Sequence, residues 1–483
     1  MKNQKESFRL NLVFLIFTLC ILATGGAFGQ TARKAKTAPP PKQEISLSQY
    51  LFQVSNKHMG YKASVQNASA AKSYSREGSL LLKPSLFGNG SAASDGFSNP
   101  FNSPDKETST VYTLGLQEQT NFGLSGKLDY NQSAMNIPTF GSVALNWFQV
   151  ELTQSLWRNW GGEEARSQAE LIETNDLSKS FNETYMNKNL LLEAERNYWS
   201  LALARETMNV QKDALDRAQR IDEWTDRRVR LNLADRSQGL QSSSNLQARK
   251  LDYRNASDNE STAAIAFNSS RGLVSDKVPE QLSELTPELV ANMKIPAHTQ
   301  PRDDVKAAEF QAKATAANAR LNREKDKPTV ELFGVAPLTT PAPPSGLLGG
   351  VLPLNARPST TIGLRFTAPL DFGTVSRARE GWAAEAQAAD WTYQRKTFEE
   401  ERDWQSLIIK FQQARARFQL YVDLGKQQKE KLEYERERQK LGKTTLEQVI
   451  LFEADYEQAE YGRISTLADL VTLNAQMKLY GAL

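Results

Sequence analysis

The chain has 483 residues, a formal net charge of +3 and 24% charged residues. That balance excludes the basic stripe of a nucleic-acid binder. The two histidines, His58 and His298, stand far apart with no Cys or His at ligand spacing, so no metal centre or cofactor is expected. The length suits two or three domains, or one elongated one.

Residues 1–29 read as a signal peptide. Lys2, Lys5 and Arg9 form its basic start, and Leu10 to Ala23 is apolar apart from Asn11, too short for a comfortable membrane span. Ala27-Phe28-Gly29 places small residues at −3 and −1 before Gln30. A membrane anchor is the alternative. Cys20, the only cysteine, follows Leu19 where a lipoprotein signal wants a small residue, so lipidation is not expected. Residues 30–44, with Pro39-Pro40-Pro41, read as a disordered linker. From Ile45 to about Lys72 the spacing of Leu47, Leu51, Val54 and Met59 predicts a helix.

Between about 79 and 156 helix signals vanish and period-2 runs replace them. Tyr112, Leu114 and Leu116 alternate with polar residues. So do Phe122, Leu124, Leu128 and Tyr130, against Gly123, Ser125, Lys127 and Asp129. A third run, Val143, Leu145, Trp147, slips phase at Phe148 and continues through Val150 and Leu152. A weaker candidate lies near Leu80 to Phe87. Such strands fit a membrane β-barrel with a wet lumen or a soluble sheet covered on one side. Trp147, Trp157 and Trp160 favour the barrel, as an interfacial girdle.

A helical hairpin is predicted over 162–273. Its first arm carries a seven-residue seam of Ala194, Leu201, Met208 and Leu215, with Leu191 and Tyr198 between. A connector follows at 276–301, then an Ala-rich helix at 302–325. Strands return at about 328–336 and 359–369 around a Pro/Gly-rich loop from Pro337 to Pro358. In the second of them Ile362, Leu364 and Phe366 oppose Gly363, Arg365 and Thr367. The last hairpin, 374–482, has the seam Trp404, Phe411, Phe418, Gly425 and Leu432.

The two hairpins align at an offset of 210, which matches Gln238 to Gln448 and Leu240 to Ile450. The organisation is helix–strands–helix–helix twice, with repeats at 45–275 and 302–483. One copy offers too few strands to close a wide barrel, and lipid does not tolerate open edges. The expected fold is therefore an α+β membrane protein. Strands pooled from several chains form a transmembrane barrel, and long helices continue it as a coiled-coil barrel.

At this point the order of elements resembles the TolC family of outer membrane efflux proteins, over about residues 45–483. Leu152-Thr153-Gln154-Ser155-Leu156 resembles the family's strand-to-helix junction, and Thr367 to Gly373 its second-repeat equivalent. Tyr198-Trp199 resembles the aromatic pair of the first long helix. Leu231-Asn232-Leu233-Ala234-Asp235 and Leu441-Gly442-Lys443-Thr444-Thr445 resemble the hairpin tips. The resemblance implies a homotrimer in outer membrane lipid with its helical tunnel in the periplasm. It implies tips that dock a periplasmic adaptor linked to an inner-membrane transporter, and passive transport rather than catalysis. Four strands per protomer is the family default, and the zone from Ser79 to Leu156 has room for a further hairpin turning near Asn121.

Two departures stand out. Asn232 replaces the usual Gly, and Asn tolerates the left-handed conformation better than most residues. Gln238 and Gln448 stand at the tunnel entrance where the family often has Asp, with Glu447 as a substitute carboxylate. Lys127 and Arg365 sit on polar strand faces, as lumen residues or as solvated charges. The rival class is a trimeric coiled-coil surface protein without transport activity. Strand pairs set between helices argue against it, since a fibre gains nothing from them. No catalytic constellation supports an enzyme.

Overall fold

The computed structural model describes residues 44–95, 107–137, 141–342 and 357–481. The expected signal peptide, Cys20 and nearly all of the linker lie outside them.

Nine strands and eight α-helices are described. In chain order they begin with β1 (Glu44–Ile45), α1 (Leu47–Lys57) and α2 (Met59–Tyr74). The expected single helix from Ile45 is thus two. His58 adopts extended backbone (ψ 115), ends α1, and its Nδ1 accepts from the Tyr61 amide at 3.1 Å to cap α2. The break turns Met59 out to solvent.

Then come β2 (Ser85–Asp95), β3 (Glu107–Gln119), β4 (Leu124–Ile137) and β5 (Gly141–Ser155). After α3 (Glu163–Arg230) and α4 (Arg236–Ser270) follow β6 (Gln281–Leu282), α5 (Pro287–Asn292) and α6 (Asp303–Lys325). The chain ends with β7 (Thr329–Ala342), β8 (Arg357–Pro358), β9 (Thr361–Thr367), α7 (Phe372–Lys440) and α8 (Leu446–Met477). None of the described helices is long and apolar enough to cross a membrane.

The large sheet is wholly antiparallel, in the order β2-β3-β4-β5-β7, with β8 and β9 together forming the last position. That makes six strand positions. The added hairpin does turn at Asn121, between β3 and β4. The weak strand near Leu80 starts only at Ser85, because Glu77–Leu82 is a 3-10 turn.

Two expectations about strands are corrected. β5 has no phase slip: it pairs with β4 without interruption from Gly141 to Gln154, so Phe148, Val150 and Leu152 share one face and Leu145 and Trp147 the other. β7 does not stop at Ala336 but runs through Pro337 to Ala342. Proline has no N–H to give its neighbour. Ser359 donates to the Pro337 carbonyl at 3.3 Å, nothing can be returned, and the partner strand is broken at 359–360. The lost ladder bond and the break coincide.

Every strand end that leads into a helix lies at one end of the sheet, so the helices extend from that end. At 68 and 69 residues, α3 and α7 are each about 100 Å long. The 35-residue α4 and 32-residue α8 cover only their tip-side halves. Toward the sheet, α2 packs on α3, and α6 lies between α3 and α7. The change of neighbours at mid-height surrounds the core. Tyr50, Tyr198, Phe267, Trp404, Phe411, Ile464 and Leu467 pack there. Tyr198 is fully buried and its hydroxyl donates to the Ile45 carbonyl at 2.9 Å.

The α7 seam is buried throughout, from Trp404 to Leu432. The α3 seam holds at Ala194, Tyr198 and Leu201, but Met208 and Leu215 are only half-buried. The buried line passes instead through Ala214, Ala218 and Thr225. Here α3 touches both α4 and α8, so two contact faces replace one stripe, and alanine allows both neighbours close approach.

Candidate functional site

Three regions carry the residues singled out from the sequence: the sheet, the strand-to-helix junctions and the hairpin tips.

The sheet is inverted relative to a soluble protein. Its apolar face is the exposed one: Leu86 is 70% exposed, Leu114 57%, Leu152 51% and Ile362 74%. Soluble proteins rarely leave a contiguous apolar face of this extent open. Its polar face is the better covered, with Asp129 at 2% and Asn131 buried. Thr113 donates to Asn131 Oδ1 at 2.6 Å, and Asn131 donates to Asp129.

Lys127 and Arg365 both lie on the polar face. Lys127 stands 3.7 Å from Asp129 and its Nζ lies 4.9 Å over the Phe87 ring. Arg365 reaches Glu331 at 3.4 Å and lies 5.3 Å over Phe333. Each ring in turn covers a glycine of the next strand. A Cβ at Gly115 would fall 2.6 Å from Phe87, and one at Gly363 would fall 2.5 Å from Phe333. Aromatic cover of a strand glycine keeps its backbone from water. The same cation–ring–glycine stack thus occurs at both ends of the sheet. In the sequence Phe87 marks only the end of a weak strand candidate, and Phe333 is one apolar residue on a polar face.

At the first junction Asn159 takes a left-handed conformation (φ 58) and its Oδ1 accepts from the Glu164 and Ala165 amides, at 3.0 and 3.3 Å. This caps α3 from outside the helix. Arg158 grips Glu164 with two bonds of 2.7 and 2.8 Å. Trp157 and Trp160 are exposed here, as are Leu370 and Phe372 at the second junction. There Asp371 caps α7 by accepting from the Thr374 amide at 3.0 Å.

The two tips share the same bonds. Asn232 and Gly442 both lie in the left-handed region, at φ 57 and φ 69. The Leu233 amide donates to Arg228 O at 2.8 Å, and the Lys443 amide to Arg438 O at 2.9 Å. The bonds spanning three residues, Asn232 N–H to Val229 O and Gly442 N–H to Gln439 O, complete the pattern that satisfies a helix's last carbonyls. Arg228 Nη2 then donates to Leu233 O at 3.0 Å, and Arg438 Nη2 to Lys443 O at 3.1 Å. The guanidiniums lie 4.7 Å over Trp224 and 5.9 Å over Tyr434. All five pairs of positions differ by 210.

The caps differ. Thr445 accepts from the Gln448 amide at 3.3 Å, whereas Asp235 caps without its side chain. Ala234 is half-buried and Thr444 bonds the Gln448 side chain at 2.9 Å.

Gln238 is half-buried and Gln448 exposed. Glu447 is exposed and makes no ion pair among the described residues. The buried carboxylates that pair between helices near the tips are instead Glu453 and Glu457 of α8. Glu453 takes Arg436 of α7 at 2.6 Å and Arg217 of α3 at 3.8 Å, and Glu457 takes Arg249 of α4 at 2.5 Å. Neither was singled out, because single charges on an amphipathic helix read as solvated.

Charge gathers at the tips. Residues 226–238 hold Arg227, Arg228, Arg230 and Arg236 against Asp226 and Asp235, a net +2. Residues 436–448 hold Arg436, Arg438, Lys440 and Lys443 against Glu437 and Glu447, again +2.

The fold is similar to those of solved outer membrane channels. Likeness to the outer-membrane channel OprN has a TM-score of 0.66 at 15% identity and covers 94% of this chain and 99% of that one. For the outer membrane protein VceC of Vibrio cholerae the TM-score is 0.65 at 14% identity, over 90% and 96%. For the open state of the MtrE outer membrane channel of Neisseria gonorrhoeae it is 0.63 at 16% identity, over 94% and 97%. No protein-family profile and no curated protein matches the sequence. The chain has the fold of the outer membrane channels.

Proposed function

We propose that the chain is a TolC-family channel subunit, the outer membrane exit duct of a tripartite efflux pump or type I secretion system. The observation that carries the reading is the inverted sheet joined end to end with helices about 100 Å long. An exposed apolar face with a covered polar face suits lipid outside and water within. The sheet ends in unpaired edges at β2 and β8/β9, which suits closure by further copies. Six strand positions from each of three copies give an eighteen-strand barrel, an even number as such barrels have. On this reading Lys127 and Arg365 line the lumen, and Gln238, Glu447 and Gln448 border the periplasmic entrance. The tips dock a periplasmic adaptor coupled to an inner-membrane transporter. Transport through the tube is passive and no residue acts as a catalyst. The offset of 210, repeated in the tip bonds, supports descent from a duplicated unit.

The test is single-channel recording of the detergent-purified protein in a planar bilayer. Discrete conductance steps are expected. Membrane-bound protein that gives none would favour the surface-spacer alternative instead.

A further inference from the structure

Each tip presents leucines within a cationic rim. Leu231 and Leu233 on one and Leu441 on the other are largely exposed. Arg230 is paired with Asp226 at 2.6 Å, Lys440 with Glu437 at 2.5 Å, Arg438 with the buried Glu435 at 2.8 Å and Arg436 with Glu453 at 2.6 Å. Arg227, Arg236 and Lys443 have no ion-pair partner among the described residues. The whole chain carries only +3, yet residues 226–238 and 436–448 each carry +2. An apolar centre inside a charged rim is the anatomy of an interface. Its charge selects the partner, because opposite potentials steer encounter and like charges repel.

The turns bearing these leucines are held more firmly than a helix end requires. The backbone pattern alone would satisfy the last carbonyls. The guanidinium bond to Leu233 O or Lys443 O, with stacking on Trp224 or Tyr434, is additional, and it is present in both tips. Arginine suits this position because its flat fork stacks and donates at once, which lysine does not.

We infer that Arg228 and Arg438 are positioning residues that hold the tips as a cationic, leucine-bearing surface, and that the partner it fits is a protein presenting carboxylates around an apolar socket. This rests on the reading that the tips meet a periplasmic partner. An anionic lipid surface would be satisfied by charge alone and needs no fixed turn. Arg→Lys variants therefore separate the two, since they keep the charge and lose the stack.

The experiment uses the full-length protein in detergent and two designed helical-hairpin peptides. One has a tip of leucines flanked by glutamates, the other the same leucines flanked by lysines. Binding is read by fluorescence anisotropy at low and high salt. Phosphatidylglycerol vesicles are tested in parallel, with the wild type and the double variant R228K/R438K. The glutamate peptide should bind at least tenfold more tightly than its twin and weaken with salt. The double variant should lose about tenfold while its circular dichroism shows the same helix and strand content as the wild type. Equal binding of the twins, binding of neither, or an unaffected double variant overturns the inference. So does vesicle binding that is stronger than peptide binding and indifferent to R228K/R438K, which assigns the surface to lipid. Conductance is measured separately: a wild type that binds the peptide but never conducts sinks the channel reading and leaves the tip chemistry standing.

Discussion

Tyr50 illustrates how much one side chain sets at mid-height. Its ring stacks on Phe267 at 4.2 Å, and its hydroxyl donates to the Phe267 carbonyl at 3.0 Å. Burial pushes its pKa from 10.0 up to about 12. Below pH 10 the group is protonated whether the chain is folded or not, so its stabilisation is whole. Between pH 10 and 12 only the unfolded chain ionises, and that stabilisation is lost. Tyr50→Phe should cost about 1 kcal/mol at neutral pH, the worth of one hydrogen bond, and flatten the alkaline fall in stability. Denaturant midpoints measured from pH 8 to 11 check both effects. Residues such as Asn232 were legible in advance, because a left-handed turn restricts side-chain choice at that one position. Arg228 and Arg438 were not. An arginine in a charged run looks solvated, and nothing local tells that it folds back on the turn five residues ahead.

Among elements, the junction into α3 is the tightest joint. Gly162 has φ 76, and a Cβ there would fall 2.1 Å from the Asn121 carbonyl oxygen of the β3–β4 turn. Neither the conformation nor the contact admits a side chain. Gly162→Ala should destabilise by several kcal/mol, combining left-handed strain of about 1–2 kcal/mol with a clash against backbone. Gly161→Ala, also at φ 65 but with nothing within 4 Å, should cost the strain alone. Denaturant unfolding midpoints separate the two variants. The strands and hairpins were readable because period 2 and period 7 reflect a single partner face. Reading failed where an element has two: α3 between α4 and α8, and β7 beside a partner strand broken opposite Pro337.

For the molecule as a whole, the two faces of the sheet should respond oppositely to charge. Leu114 lies mid-strand on the apolar face, and Gln149 on the polar face pairs in register with Asp129. Leu114→Lys should cost about 2–4 kcal/mol in a bilayer and sharply reduce the folded protein recovered from membranes. Gln149→Lys gains a carboxylate neighbour and should be recovered at wild-type levels. Heat-modifiable gel mobility and membrane yield read the difference, and equal loss from both would contradict the assigned faces.

The inverted sheet and its two unpaired edges bear on how the molecule comes into being. In water a lone copy leaves the apolar face unsheltered. In lipid the same copy is sheltered on that face but leaves two rows of backbone donors and acceptors unmet, at several kcal/mol per group. A solitary protomer is therefore unfavourable on either side of the boundary. On the proposed channel reading, entry into the bilayer and meeting of partners belong to a single step, and the chain waits for company before it can settle.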